Sequence, residues 1–197
     1  MDIKAVAFDV GGVIGDVHLR HLILNIRKVF LKNADKSAKN IKALFKKTLK
    51  GNPDVEKLLE SLPFNYQDWK KLIKPNQGIE KEILQDLSPS VDRFIISNIN
   101  EFHWNVCLDK LPIRNYFQEC NCILSCRVGA LKPEKEMWQK SLFFINRRPE
   151  EVLLIDNNPA NVKSFIAFGG NAIRYCCRWD CVGELKRKLS YYGVVVT

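Results

Sequence analysis

The chain has 197 residues, 46% of them hydrophobic and 27% charged, enough for one α/β domain with an insertion and a core of its own. No apolar run approaches the ~18 residues of a membrane-spanning helix, and the N-terminus shows neither the apolar stretch nor the cleavage site of a secretory leader, so a cytoplasmic protein without a membrane partner is expected. The net charge of +9 is concentrated, with 14 Lys/Arg against 6 Asp/Glu between residues 16 and 75 and 17 against 16 elsewhere.

Chain order begins with a short apolar run, Val6, Ala7 and Phe8, which delivers one carboxylate, Asp9, and then Gly11 and Gly12. Such a run bounded by glycine is the pattern of a strand buried on both faces, as in a parallel sheet. The glycines are free to adopt positive φ, which lets backbone N–H groups approach a ligand. Over residues 18–31, Leu22, Ile23, Ile26, Val29 and Phe30 recur at helical spacing. A second amphipathic helix is expected over residues 37–50, stopped by Gly51-Asn52-Pro53. Its lysines, Lys36, Lys39, Lys42, Lys46, Lys47 and Lys50, stand against Ile41, Leu44, Phe45 and Leu49 with few aromatic residues between them. That is a solvated helix face rather than a nucleic-acid surface, although its charge suits an anionic ligand. Residues 54–62 and 66–73 read as shorter helices, so residues 16–75 form an all-helical unit with no strand pattern.

Lys74-Pro75-Asn76-Gln77-Gly78 resets the chain, and residues 79–87 are helical. A second buried strand over residues 91–97 ends in a hydroxyl and an amide, Ser97 and Asn98. Helix 102–111, strand 120–125, helix 134–144 after Lys132-Pro133, strand 152–156 ending in Asp156, helix 161–168 and strand 172–175 follow. Strands alternating with helices predict an α/β fold with a parallel sheet.

Four chemical groups fall at corresponding places, after strands or at a helix start: Asp9, Ser97, Lys132 and Asp156. Singly, each reads as a cap or a surface turn. Together, if one sheet aligns the strand ends, two carboxylates, a hydroxyl and an ammonium converge on one crevice, where ligands of open α/β sheets bind. Two carboxylates suit Mg²⁺, a hydroxyl and an ammonium suit phosphoryl oxygens, and a carboxylate can serve as nucleophile.

The stretches FDVGGVI, IISNIN, SCRVGALKPEKEMWQ and LLIDNNPANVKSFIAFG resemble the four ordered motifs of the haloacid dehalogenase superfamily. Within it, the wording is similar to phosphatases with a small helical cap, and to bacterial α-D-glucose-1-phosphate phosphatases. The resemblance implies a Rossmann-like core of residues 1–15 and 76–197, a helical cap of residues 16–75, and a five-stranded order of 5-4-1-2-3 in chain numbering. It further implies Mg²⁺ as cofactor and a small anionic phosphorylated substrate. Asp9 becomes nucleophile and metal ligand, and Gly11 lends the metal its backbone carbonyl. Ser97, Asn98 and Gly12 hold the phosphoryl group, Lys132 neutralises nucleophile and phosphate, and Asp156 anchors the metal, with Asn157 as an added ligand.

Two positions depart from the family pattern. Gly11 stands where the phosphatases carry an Asp that protonates the leaving group, and Asn157 stands where a second metal-site Asp is common. Asp16 is the next carboxylate along the chain that a substitute acid could use. These departures keep a second reading open, a catalytically weak binding or regulatory protein using the basic helical segment. A third reading is a 2-haloacid dehalogenase, whose carbon–halogen bond needs no leaving-group acid.

Seven cysteines, with no C-x-x-C, match no common zinc spacing and are expected as reduced thiols. The implied strand order sets Cys120, Cys122 and Cys126 at the opposite sheet edge from Cys176, Cys177 and Cys181. His18, His21 and His103 show no ligand spacing, and Trp69, Trp104, Trp138 and Trp179 are expected as packing residues.

Overall fold

The structure, a computed structural model, describes residues 2–17, 46–52 and 66–196. The helices expected over residues 18–31 and 54–62, and most of that over residues 37–50, lie outside the described residues. Strand β1 (Ala5–Phe8) is followed by β2 (Gly15–Val17), and later by helix α1 (Tyr66–Lys71), β3 (Ile73–Pro75), a helical turn α2 (Gln77–Ile79) that continues as a π-turn (Glu80–Leu84), and β4 (Asp92–Ser97). Then come α3 (Glu101–Lys110), α4 (Ile113–Tyr116), β5 (Cys122–Leu124), α5 (Ser125–Val128), α6 (Lys135–Ile145), β6 (Val152–Asp156), α7 (Pro159–Ala167), β7 (Asn171–Arg174) and α8 (Val182–Tyr191).

Five strands form one parallel sheet in the order β5-β4-β1-β6-β7. Counting those five strands in chain order, this is the expected 5-4-1-2-3. Every residue of β1 is buried, and alternation sends Val6 and Phe8 to one face and Ala5 and Ala7 to the other. The Val6 and Phe8 face packs against Trp104 of α3, Ile79, Ile83 and Leu84, and Leu185 and Leu189 of α8. On the other face the small Ala5 and Ala7 share a core with Trp138 of α6 and Phe165 of α7, whose rings lie 5.0 Å apart. With both faces covered, near-continuous apolar strands are what burial demands.

One feature of residues 16–75 departs from the all-helical expectation. Its two ends pair as an antiparallel ribbon, β2 with β3, in the register Gly15↔Pro75, Asp16↔Lys74 and Val17↔Ile73. Three-residue strands are too short for a two-residue period to register in sequence, and Ile73 reads instead as the last turn of α1. Asn76 ties this ribbon to the core. Its side chain donates to Val13 O and to the Tyr175 hydroxyl, both at 3.1 Å, and its N–H donates to Ile14 O at 3.0 Å.

The stop at Gly51 appears as read. The chain is helical over residues 46–48, and Gly51 at φ +77 donates its N–H to Thr48 O. This piece sits on the core. Ser125 donates its hydroxyl to Leu49 O at 2.6 Å, Asn100 donates to the Thr48 hydroxyl at 3.2 Å, and Lys50 pairs with Glu134 at 2.9 Å. A Cβ on Gly51 would collide with the Cys126 carbonyl, which accounts for glycine there as much as the turn does. Helices α4, α5 and α8 were not anticipated from sequence, the first two because four residues hold barely one turn.

Candidate active site

Parallel pairing places the C-terminal ends of β1, β4 and β6 side by side, because Phe8 is in register with Ile95 and with Ile155. Asp9 follows β1, Ser97 closes β4 and Asp156 closes β6, so three of the four residues singled out from sequence meet at one edge. The fourth, Lys132, arrives from the loop before α6, where the Lys132–Pro133 peptide bond is cis. Asn98 holds that loop with both ends of its amide, donating to Lys132 O and accepting from Lys132 N, each at 2.8 Å.

Lys132 is the centre of the cluster. Its ammonium donates to Ile96 O at 2.7 Å and Asp156 Oδ2 at 2.6 Å, and lies 3.0 Å from Asp9 Oδ1. All three N–H donors of the ammonium are thereby directed at oxygen. The side chains of Lys132 and Asp156 are 1% and 0% exposed, and that of Asp9 12%. Burial disfavours the Lys132 cation, but Asp156 first and Asp9 second outweigh it and hold its pKa above the ordinary lysine value. Asp9 behaves differently. Burial raises its pKa above the ordinary carboxylate value and repulsion from Asp156 adds to this, against the opposing pull of Lys132 and Ser97.

The hydrogen bonds of Asp9 are one-sided. Val10 N and Ser97 Oγ each donate to Oδ1 at 2.8 Å, and Lys132 faces the same oxygen. Among the described residues nothing donates to Oδ2, which leaves one carboxylate oxygen at the strand edge for another partner. Asp156 is held on both oxygens: Asn158 N donates to Oδ1 at 2.8 Å and Asn161 Nδ2 reaches Oδ1 and Oδ2 at 3.1 and 3.0 Å. The remaining amide oxygen of Asn161 is buried and, among the described residues, has no hydrogen-bond partner.

The turn after Asp9 uses its glycines unequally. Gly12 takes φ +85 and the Asn157 side chain fills the space of its missing Cβ, whereas Gly11 is not at positive φ. Gly12, expected among the residues that hold the phosphoryl group, donates its N–H to Gly15 O at 2.7 Å and accepts from Cys177 N at 2.8 Å through its carbonyl. The turn closes through Gly12 N–Gly15 O and Gly15 N–Val10 O, neither of which uses the carbonyl of Gly11. Asp16, the candidate substitute acid, is engaged by the Arg178 guanidinium.

Mg²⁺ takes hard oxygen ligands, commonly one or two carboxylates with water and substrate oxygens making up the rest. The described residues offer no group of three His, Cys, Asp or Glu side chains, but they do offer two carboxylates about one ammonium at one edge. The uncommitted Asp9 Oδ2, the orphaned oxygen of Asn161 and the net negative charge of two carboxylates around one ammonium fit a hard cation. Asn161 went unnoticed in sequence. Its signal was an amide five residues after Asp156, in the first turn of the following helix.

The other singled-out side chains separate cleanly. His103 is buried against Trp69, ring centres 4.2 Å apart, and burial holds its pKa down to about 4. All seven cysteines are free thiols, and burial lifts Cys107 and Cys122 to about 12, so these two are inert as nucleophiles. Strands β5 and β7 are the outer strands, which sets the two cysteine groups at opposite edges as implied.

A doubly covered parallel sheet with buried carboxylates and a lysine at its C-terminal edge places the cluster where open α/β sheets bind ligands. A profile of haloacid dehalogenase-like hydrolases matches residues 3–169, and the chain belongs to that family. Among solved structures, an enzyme of this family from Bacteroides thetaiotaomicron superposes with a TM-score of 0.75 at 20% identity, covering 94% of this chain and 99% of its own. The same enzyme with magnesium and inorganic phosphate gives 0.68 at 21% identity, covering 90% and 96%. A predicted hydrolase of the same fold from Porphyromonas gingivalis gives 0.73 at 18%, covering 96% and 98%. In sequence, the chain is 28% identical over 119 residues to a chloroplast flavin mononucleotide hydrolase of Arabidopsis thaliana. That match takes in 59% of this chain but only 45% of the relative, less than half its length.

Two outcomes test this geometry. Lys132→Met leaves Asp9 and Asp156 facing each other without their cation, and should cost about 3–5 kcal/mol in urea unfolding near neutral pH. Because the native pKa of Asp9 lies above its unfolded value, stability falls as pH rises through that interval. Removing the cation widens the interval, so the variant should regain part of its loss at acidic pH. Gly12→Ala must adopt a left-handed backbone and displace Asn157, and should cost about 2 kcal/mol or more in the same assay.

Proposed function

We propose that this chain is a Mg²⁺-dependent phosphatase that hydrolyses a small phosphorylated metabolite through an aspartyl-phosphate on Asp9. The observation that carries the reading is the buried Asp9–Lys132–Asp156 cluster, in which one oxygen of Asp9 is fixed and the other is left open. Oδ2 of Asp9 attacks phosphorus and the substrate oxygen leaves. Lys132 and Ser97, both on Oδ1, hold the carboxylate plane still during the approach and offset charge on the phosphoryl oxygens. Asn98 positions Lys132 by gripping its backbone. Asp9, Asp156 and the Gly11 carbonyl, with Asn157, would hold Mg²⁺, which supplies positive charge for the phosphate and draws the buried Asp9 carboxyl into its ionised form. Water then attacks the acyl phosphate, releasing phosphate and restoring Asp9.

The residues 16–75 are proposed as a cap over a core of residues 1–15 and 76–197. The ribbon at their two ends and the contacts of residues 46–52 with Ser125, Asn100 and Glu134 support that division. Its positive charge suits a phosphorylated ligand. No acid stands at position 11, and Asp16 is taken by Arg178, so the leaving oxygen departs without a proton from these groups. That favours esters with good leaving groups, such as anomeric sugar phosphates, acyl phosphates or aryl phosphates. The same absence supports the second reading, a weakly catalytic binding protein. A dehalogenase is less well supported, because the buried Lys132 and Asp156 arrangement suits phosphate and metal. The Arabidopsis relative's name places flavin mononucleotide beside sugar phosphates in a substrate panel.

Hydrolysis of an activated aryl phosphate by wild type and Asp9→Asn, each with Mg²⁺ and with EDTA, decides the matter. Turnover should require both Mg²⁺ and Asp9, and undiminished turnover in folded Asp9→Asn would remove the mechanism. Gly11→Asp restores a leaving-group acid, typically worth about 10²–10⁴-fold. It should raise turnover of simple alkyl phosphates more than of aryl phosphates, and equal effects on both would contradict the missing-acid account.

A further inference from the structure

Of the four tryptophans, three behave as packing residues: Trp69, Trp104 and Trp138 are 3%, 0% and 1% exposed. Trp179 is 76% exposed, against the expectation from sequence. Single exposed aromatic residues are ordinary, and Phe143 and Tyr191 are as exposed; what sets Trp179 apart is its position. Trp179 stands on the turn after β7, and β7 is in register with β6 such that Arg174 pairs with Asp156. The turn therefore leaves the sheet at the edge that carries Asp9, Ser97 and Asp156.

That turn is fastened to the site by three successive bonds. Tyr175 N donates to Asp156 O at 3.1 Å, Cys177 N donates to Gly12 O at 2.8 Å, and the Arg178 guanidinium engages Asp16. The turn is closed internally as well. Trp179 N and Asp180 N both donate to Cys176 O, at 3.0 and 2.9 Å, and Cys176 N donates to Asp180 Oδ2 at 2.7 Å. The backbone that carries the indole is thus braced, so the turn itself needs little ordering on binding.

We propose that Trp179 is a stacking platform for a planar fused-ring heteroaromatic group, so that the preferred substrates are phosphomonoesters carrying such a ring at the end remote from phosphate. This rests on the phosphatase reading for the phosphate end. Every such ring has a π-face, and stacking on an aromatic side chain discriminates rings from open polyols without reading hydrogen-bond edges. Sugar phosphates would bind through the phosphate site alone. Ring-bearing esters would gain a second contact, and the extra affinity is expected to be about tenfold.

The test uses Asp9→Asn, which should bind ester without turning it over. Flavin mononucleotide is titrated while its own emission is read, and ribose 5-phosphate is measured by competition. Saturable quenching of flavin emission is expected, with flavin mononucleotide binding about tenfold tighter than ribose 5-phosphate. Adding Trp179→Ala should abolish both the quenching and the preference, whereas Trp179→Phe should keep most of the preference. Equal affinity for the two ligands, or quenching that survives Trp179→Ala, would overturn the proposal. Failure of the phosphatase reading is separately visible. Wild type that hydrolyses aryl phosphate but does not bind flavin mononucleotide overturns the platform alone. Wild type that hydrolyses no ester, with Trp179-dependent quenching intact, upholds the platform and removes the chemistry.

Discussion

A single ammonium held between two carboxylates, out of water, is the constraint to which the rest of this structure answers. Removing Lys132, Asp9 and Asp156 from solvent costs several kcal/mol per ion unless each finds partners. The fold supplies them from three different places: Ile96 O and Ser97 on β4, Val10 after β1, and Asn158 and Asn161 at the start of α7. Only a parallel sheet with its strand ends level brings these groups within bonding distance. The apolar strands, the short Ala5 and Ala7 against the large Trp138 and Phe165, and the amide clamp of Asn98 on the Lys132 loop all serve that alignment. Structural and chemical demands coincide here. The arrangement that makes the buried charges tolerable also leaves Asp9 with one oxygen fixed and one open.

Much of this was legible in the sequence, for identifiable reasons. Long apolar runs ending in Asp9, Ser97 and Asp156 carry a strong strand signal, and the order of the five strands followed once the four motifs were aligned with a family. The clustered carboxylates and lysine were legible because chemistry limits which residue types can serve. What stayed hidden was short or relational. The ribbon β2–β3 has three residues a side, and no period can be read from three residues. Asn161 has meaning only through Asp156, since the sequence presents an ordinary helical asparagine. The divergence of Gly11 from Gly12 could not be read either. Both are glycine, and only the Asn157 side chain against Gly12 decides which of them must take the left-handed backbone.

Trp179 shows the converse case, a residue whose type pointed one way and whose placement pointed another. Tryptophan is ordinarily a core residue, and three of the four here obey. The turn carrying the fourth spends its backbone hydrogen bonds on itself and on the site, and the ring it bears stands exposed. The turn after β7 lies at the edge of the sheet beyond the strands that end in Asp9, Ser97 and Asp156, and flanking turns are where a common scaffold carries its individual features.

The ribbon has a consequence for how such a chain can change over time. Because Gly15 stands opposite Pro75 in the ribbon, the chain leaves the core and returns to it at neighbouring points. Whatever is spliced between them, long or short, exerts no pull on the sheet, since closing a longer loop adds only about 0.6 kcal/mol per doubling of its length. The ribbon behaves as a socket: new segments can be fitted, lengthened or exchanged there while the strand ends beneath keep their alignment, so the covering and the chemistry are free to evolve on separate clocks.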